Sequence, residues 1–488
     1  MKPKLLLAIT AFFLSSAALA ETLWITNVNL VSPEKLDQAG PGSVLIKDGV
    51  IAAVERGPAR PTPAGARKID GNGYYLTPGL IDSHVHLFGV PGMSFDHVKR
   101  HKGIVQDYYR QLPRSYLYYG YTTVIDLAVS DRAVIDNFNR APLHPDVVHC
   151  GEPLVYANGY PMSWIAPAER FEMFGNFIYD PAQAAAIPKR FRPEDHTPEA
   201  GVARIAKGGG KCVKTHYEKG FGANRNLPVM SDAVFADVKS AAVKNGLVLV
   251  THGNSFEAQS FAVKGQADVL AHGMWHWGAH NASKELPAEI KALLDQVVDK
   301  RIGYQPTMQV LYGMLAYLDP AYLNDPAVRK VVPAALADWF ASPAGKWFRD
   351  EVAEGESDAD ALLGFEAPLR RQKMVLAYLA SRDANFTFGS DTPSSPTYGN
   401  LPGLNGYMEM RRLREAGLSL AQIFKAATIN NARTFKLDAR VGTIQTGKAA
   451  NLLLMKLSPL KDLAAYDNIV TVWVGGKTIA RESLVAGK

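Results

Sequence analysis

The amino-acid sequence predicts an α/β protein, a (β/α)8 TIM barrel with a small β-sandwich domain built from both chain ends. Three observations carry this. Eight strand-like apolar runs alternate with helical stretches through the middle of the chain. Short β-rich runs separated by Gly, Pro and Asp turns fill residues 22–77, and the same texture returns near the C-terminus in ANLLLMKLS and TVWVGGKTIA. With 488 residues, 47% of them hydrophobic, the chain can bury a large core and hold more than one domain.

Residues 1–20, MKPKLLLAITAFFLSSAALA, read as a signal peptide. Lys2 and Lys4 give a positive start, Leu5 to Leu14 an apolar stretch, and Ala18-Leu19-Ala20 a small-x-small cleavage site. The apolar run is short for a bilayer span of roughly 20 residues. The expectation is an exported protein, periplasmic or secreted, with no stable membrane insertion. Residues 21–77 are expected to form the first part of the β-sandwich, 78–437 the barrel and 438–488 the second part. The formal charge of +6 is spread along the chain, with no Lys/Arg block, so no nucleic-acid partner is expected. A homo-oligomer is left open. Of the two cysteines, Cys150 and Cys212, two buried free thiols is the preferred reading. Pairing would need their Cα atoms within about 7 Å.

The eight runs are LIDSHVHLF, YTTVIDLAV, DVVHCGEPL, KCVKTHY, GLVLVTHG, ADVLAHG, RIGYQPTM and ANFTFGSD. Segments such as SDAVFADVKSAAVKNG and SLAQIFKAATINNARTF supply helices between them. Residues 310–380 are too many for a plain loop and helix-rich, so a helical insertion or cover is expected there.

In LIDSHVHLF, His84 and His86 are two residues apart, so on a strand both point to one face. His252 ends the fifth run, His272 ends the sixth and Asp391 follows the eighth. In a barrel the strand C-termini converge on one face, where active sites form. Imidazoles and a carboxylate gathered there suit zinc or a similar divalent metal. Lys214, inside the buried run KCVKTHY, is the odd residue, because an unpaired ammonium is costly to bury.

This constellation resembles the amidohydrolase superfamily over nearly the whole mature chain. The HxH of strand one, the lysine of strand four, the histidines of strands five and six and the aspartate of strand eight match at His84, His86, Lys214, His252, His272 and Asp391. YYLTPGLIDSHVH is similar to the family's entry into the barrel. VGTIQTGKAANLLLM is similar to its return to the sandwich, with Asn451 where an aspartate is more usual, a departure taken as structural. GSDTP, the QPTM run and AATINNARTF point to the prolidase-like and imidazolonepropionase-like subgroup.

The resemblance implies two divalent metal ions, zinc first, with manganese or cobalt as alternatives. His84, His86 and Asp391 would hold one, His252 and His272 the other. Lys214 would bridge them as a carbamate formed from CO2, since burial lowers a lysine pKa and exposes a neutral amine. A metal-bridging hydroxide would attack, and Asp391 would take the water's proton and pass it to the leaving amine. The expected activity is hydrolysis of an amide C–N bond in a small molecule, in dipeptides or N-acyl amino acids. The alternatives are a cyclic-amide hydrolase or deaminase, a lactonase or phosphotriesterase, and a silent metal- or solute-binding protein. His216, Tyr217, Arg225 and Tyr304 are the candidate substrate contacts, joined by the aromatic segment GEPLVYANGYPMSWIAPAERFEMFGNFIYD if it reaches the site mouth.

Overall fold

The N-terminal strands alternate as a half-buried sheet requires. In β1 (Leu23–Leu30), Leu23, Ile25, Val28 and Leu30 are buried. β1 pairs antiparallel with β2 (Gly40–Lys47), and β2 with β3 (Val50–Arg56). The β2–β3 turn is Asp48-Gly49, both at positive φ (52° and 76°), which suits the twist of a two-residue hairpin. β1 also runs parallel to β4 (Arg67–Asp70) and β5 (Tyr75–Pro78). The computed structural model describes residues 21–487 except 59, 130, 221–224, 320, 354 and 395, so the signal-peptide reading lies outside the described residues.

Two parallel sheets follow. β6 (Leu80–Val85), β7 (Tyr121–Asp126) and β8 (Asp146–His149) form the first. A two-residue pair, β9 (Val155–Tyr156) and β10 (Phe177–Ile178), lies in the excursion after β8. β11 (Cys212–His216), β12 (Val248–His252), β13 (Val269–Ala271) and β14 (Gly303–Gln305) form the second sheet, again parallel. Helices lie between the strands and start on side-chain caps: Thr197 accepts from Ala200 N, Ser231 from Val234 N and Ser255 from Ala258 N. The two sheets meet where Lys211 N donates to His149 O (2.8 Å) and Leu154 N to Lys214 O (2.9 Å).

Two expectations are corrected here. Cys150 and Cys212 are joined in a disulfide across that junction, not two free thiols. The strand ends are hydrogen-bonded neighbours, so the side chains are held within bonding reach. The eighth run is not a strand: Phe386 makes one bridge to Tyr304, and Thr392 one to Val85. Between them Gly389 passes so close to His84 that a Cβ there would lie 2.6 Å from the His84 Cβ, and Asp391 turns to φ 54°. The run still hydrogen-bonds to both neighbours, with Thr387 N donating to Tyr304 O and Ser83 N to Phe388 O, each at 3.0 Å, without forming a regular strand.

After the helix-rich region the chain returns to the first sheet through β15 (Leu452–Met455), β16 (Ile469–Val474) and β17 (Lys477–Ala480). β15 pairs antiparallel with β5, giving an eight-stranded mixed sheet shared by both chain ends. The 310–380 stretch is helical, with Gln309–Leu315, Pro326–Val331, Ala334–Ala341, Arg349–Ala353 and Asp358–Ser381. Among the described residues no helix is long and apolar enough to cross a membrane. The whole is an α/β fold of parallel and mixed sheets.

Candidate metal centre

The ends of β6, β11, β12 and β13 meet the Asp391 turn, and the side chains that converge there are buried. His84 is 1% exposed, Lys214 2%, His252 and His272 each 5%, and Asp391 6%. Strand alternation explains the selection: Lys214 and His216 share one face of β11, and His216 is paired in register with His252. The Asp391 Oδ1 atom lies 2.9 Å from His86 Nε2 and 3.1 Å from His84 Nε2, while Oδ2 is 3.8 Å from His272 Nδ1. Lys214 Nζ sits 3.4 Å from His84 Nε2. The His252 and His272 rings are 4.4 Å apart.

Neighbouring groups orient these rings. His84 Nδ1 is 2.7 Å from Gln305 Oε1, which leaves Nε2 for the site. Gln305 in turn donates to Ser83 Oγ at 2.7 Å. His272 Nδ1 is 2.8 Å from Thr307 Oγ1. Such partners fix the ring and tautomer of a metal-binding histidine. Asp82 Oδ1 ties the two ligand segments together by accepting from His84 N and Ser390 N. His272, Thr307 and Asp391 all have positive φ, at 81°, 44° and 54°. A non-glycine residue held there costs on the order of 1–3 kcal/mol, and such strain clusters at functional sites.

The electrostatics suit cation binding. Burial, reinforced by the Lys214 charge, pushes the His84 pKa down to about 3, so its Nε2 lone pair is free at neutral pH. Burial lowers His252 and His272 too. Burial works against ionisation of Asp391, but His84, His86 and His272 outweigh it and hold the carboxyl well below its usual range. Burial lowers Lys214 to about 8, with Asp391 opposing the shift.

His84, His86 and Asp391 present ligand atoms within 4.8 Å of one another and could hold a metal ion. Two imidazoles and a carboxylate fit a divalent cation. The buried His86 Nδ1 has no hydrogen-bond partner, in keeping with a side chain placed for its Nε2.

The candidate substrate contacts separate. His216 is buried against the cluster, its ring 5.4 Å from His252. Tyr217 points away, its hydroxyl donating to Glu257 and its ring on Phe261. Tyr304 is fully buried, and its hydroxyl accepts from Met274 N at 3.1 Å, so it braces the wall instead of meeting a ligand. Its neighbour Gln305 faces the site, so alternation turns Tyr304 outward. Arg225 is exposed, near enough to disfavour the charged form of His276. In the aromatic segment, Met162, Phe171 and Phe177 pack a small core of their own. Tyr160 alone stacks on His252, at 4.7 Å. Asn451 is structural, as expected: it donates to Asp146 and accepts from Gly475 N, far from the histidines in the fold. Sequence reasoning missed Gln305, Thr307, Glu218 and Asn254, and held Tyr160 only as part of the aromatic segment. Only the QPTM run had drawn attention to the first two.

A family model described as the amidohydrolase family matches residues 366–479. An imidazolonepropionase of Methylobacterium sp. (strain 4-46) is 42% identical over 76 residues, 14% of this chain and 18% of that protein. The chain thus spans less than a fifth of the length of that curated relative. Solved folds align almost throughout. A Xaa-Pro dipeptidase with bound methionine has a TM-score of 0.63 at 18% identity, covering 94% of this chain and all of that one. Molinate hydrolase has a TM-score of 0.66 at 18% identity, covering 95% and 96%. The chain is thus similar to the amidohydrolase family over residues 366–479, to imidazolonepropionases over a short stretch of sequence, and to prolidase-like amidohydrolases in fold.

Proposed function

We propose that this chain is an exported, binuclear metal-dependent hydrolase of amide C–N bonds, acting on dipeptides or N-acyl amino acids. The observation that carries the reading is the convergence of buried His84 and Asp391 with partly buried His86, with Lys214 3.4 Å from His84. Two divalent cations, zinc first, would supply the Lewis acidity that makes water a nucleophile near neutral pH. His84, His86 and Asp391 would hold one; His252 and His272 border the second position, and Lys214, carboxylated by CO2, would serve both. Asp391 would accept the water's proton through its carboxylate and return it to the leaving nitrogen, so that the C–N bond breaks to a carboxylate and an amine. Tyr160 and His216 would wall the acyl side.

The finer architecture belongs to the same reading. A closed (β/α)8 barrel over 78–437 is supported by the bridges at Tyr304–Phe386 and Val85–Thr392 and by the β8–β11 junction. A separate β-sandwich from 21–77 and 438–488 is supported by the sheet the two ends share. Export is supported by the disulfide, which persists in oxidising compartments. The dipeptide assignment leans on the Xaa-Pro dipeptidase likeness. The imidazolonepropionase similarity favours a second reading, hydrolysis of a cyclic amide.

The test is a panel of dipeptides, N-acyl amino acids, cyclic amides, esters and lactones with zinc- or manganese-loaded protein. Turnover of linear amides is expected. Turnover confined to cyclic amides or esters, or none with both metals bound, would overturn it.

A further inference from the structure

Beside the six residues matched to the family lies a carboxylate that none of that reasoning uses. Glu218, just past the end of β11, is 8% exposed on the wall of the site. One oxygen is pinned by Gly220 N–H at 3.0 Å. The other, Oε2, is 3.7 Å from His252 Nε2. That is too long for a hydrogen bond. Asn254, 1% exposed, completes a triangle: its Nδ2 is 3.5 Å from Glu218 Oε2 and 3.3 Å from His252 Nε2.

Three polar atoms with edges of 3.3, 3.5 and 3.7 Å have the spacing of neighbouring ligands on one cation. Ligands about 2.1 Å from a tetrahedral ion stand about 3.4 Å apart. One further feature fits. Asn254 Oδ1 is buried without a hydrogen-bond partner. A half-turn of the amide exchanges its oxygen and nitrogen. The triangle then consists of a carboxylate oxygen, an imidazole nitrogen and an amide oxygen, all electron-pair donors.

We propose that Glu218, His252 and Asn254 form one face of the second cation's site, with Glu218 as a charged ligand there. This rests on the two-cation reading above and deepens it, because it adds to the Lys214 carbamate a charged ligand from outside the matched set. A carboxylate and an amide carbonyl beside one imidazole favour a harder ion, so manganese should compete well with zinc there.

The experiment counts metal per chain after loading with Zn2+ or Mn2+ and desalting, in wild type, Glu218→Gln, Asn254→Asp and His84→Asn. Thermal unfolding checks that each variant folds. Two ions are expected in wild type and one in Glu218→Gln. Asn254→Asp, which adds a negative ligand, should bind the second Mn2+ at least about tenfold more tightly. This gain of affinity tests the site even if Glu218→Gln is unstable. Two ions retained in Glu218→Gln, with or without a raised KM for substrates bearing an ammonium group, would overturn the proposal and leave the two-cation reading standing. A single ion in wild type, lost in His84→Asn and kept in Glu218→Gln, would overturn both.

Discussion

The two ends of the same parallel strands handle charge in opposite ways. At their C-terminal ends, His84, Lys214, His252, His272 and Asp391 are buried together, and His272, Asp391 and the neighbouring Thr307 have positive φ. At the N-terminal ends, charges pair in partial contact with water: Lys239 with Asp268 and Arg440 with Asp146, each at 2.7 Å. A groove of about 380 Å3 there is lined by Lys239, Asp268, Arg301, Arg433 and Lys436. Partly exposed pairs are worth little because water already solvates each partner. Buried ionisable groups without a full set of partners are expensive, and they cluster where something binds or reacts. On the proposed function, the C-terminal ends carry the chemistry, while the N-terminal ends serve the fold.

That contrast can be broken by substitution. The largest effect is expected at Asp391→Asn, which keeps the size of the side chain but removes the proton acceptor. Turnover should fall by about 10³-fold while much of the metal stays bound. Steady-state kinetics beside elemental analysis measure this, and near-normal turnover would place the base elsewhere. A smaller effect is expected at Thr307→Val. Loss of the hydroxyl 2.8 Å from His272 Nδ1 frees that ring, and metal affinity should weaken by about 10–100-fold with the fold intact.

pH sharpens the comparison further. Only the neutral amine of Lys214 can take up CO2. With the pKa lowered to about 8 by burial, that fraction rises roughly tenfold per pH unit below about 8 and levels off above it. Reconstitution of metal-free protein with zinc and bicarbonate should follow the same profile. A profile still rising steeply from pH 9 to 10 would mean the lysine is unperturbed. At the other strand ends, Arg440→Ala should cost no more than about 1 kcal/mol of stability, by chemical denaturation, and leave turnover unchanged, since its side chain is 62% exposed.

Much of the candidate site was legible in the sequence because strand period and strand order are local signals. His84 and His86 share a face by spacing alone, and His252 and His272 end recognisable runs. The misses came from contacts made across the fold. Glu218 and Asn254 lie 36 residues apart, and their meeting depends on how β11 and β12 end. The Cys150–Cys212 pairing depends on a distance between strands that no spacing encodes. ANFTFGSD has the composition of a strand, and it lies between β14 and β6 with isolated bridges and backbone hydrogen bonds to each instead of a full ladder. Tyr304 was misplaced for the same reason: adjacent residues on a strand face opposite ways, and only the contact of Gln305 with His84 shows which of the two faces the site.

The central claim is that the buried lysine serves two cations as an anion. Lys214→Ala removes that ligand and leaves two divalent charges at close range, where repulsion is four times that of unit charges. The most direct measurement is metal per chain in wild type and Lys214→Ala after loading with zinc and bicarbonate, with and without propionate. Two ions are expected in wild type and one or none in Lys214→Ala, with partial recovery when propionate fills the vacated space. Two ions in Lys214→Ala without any added acid would contradict it.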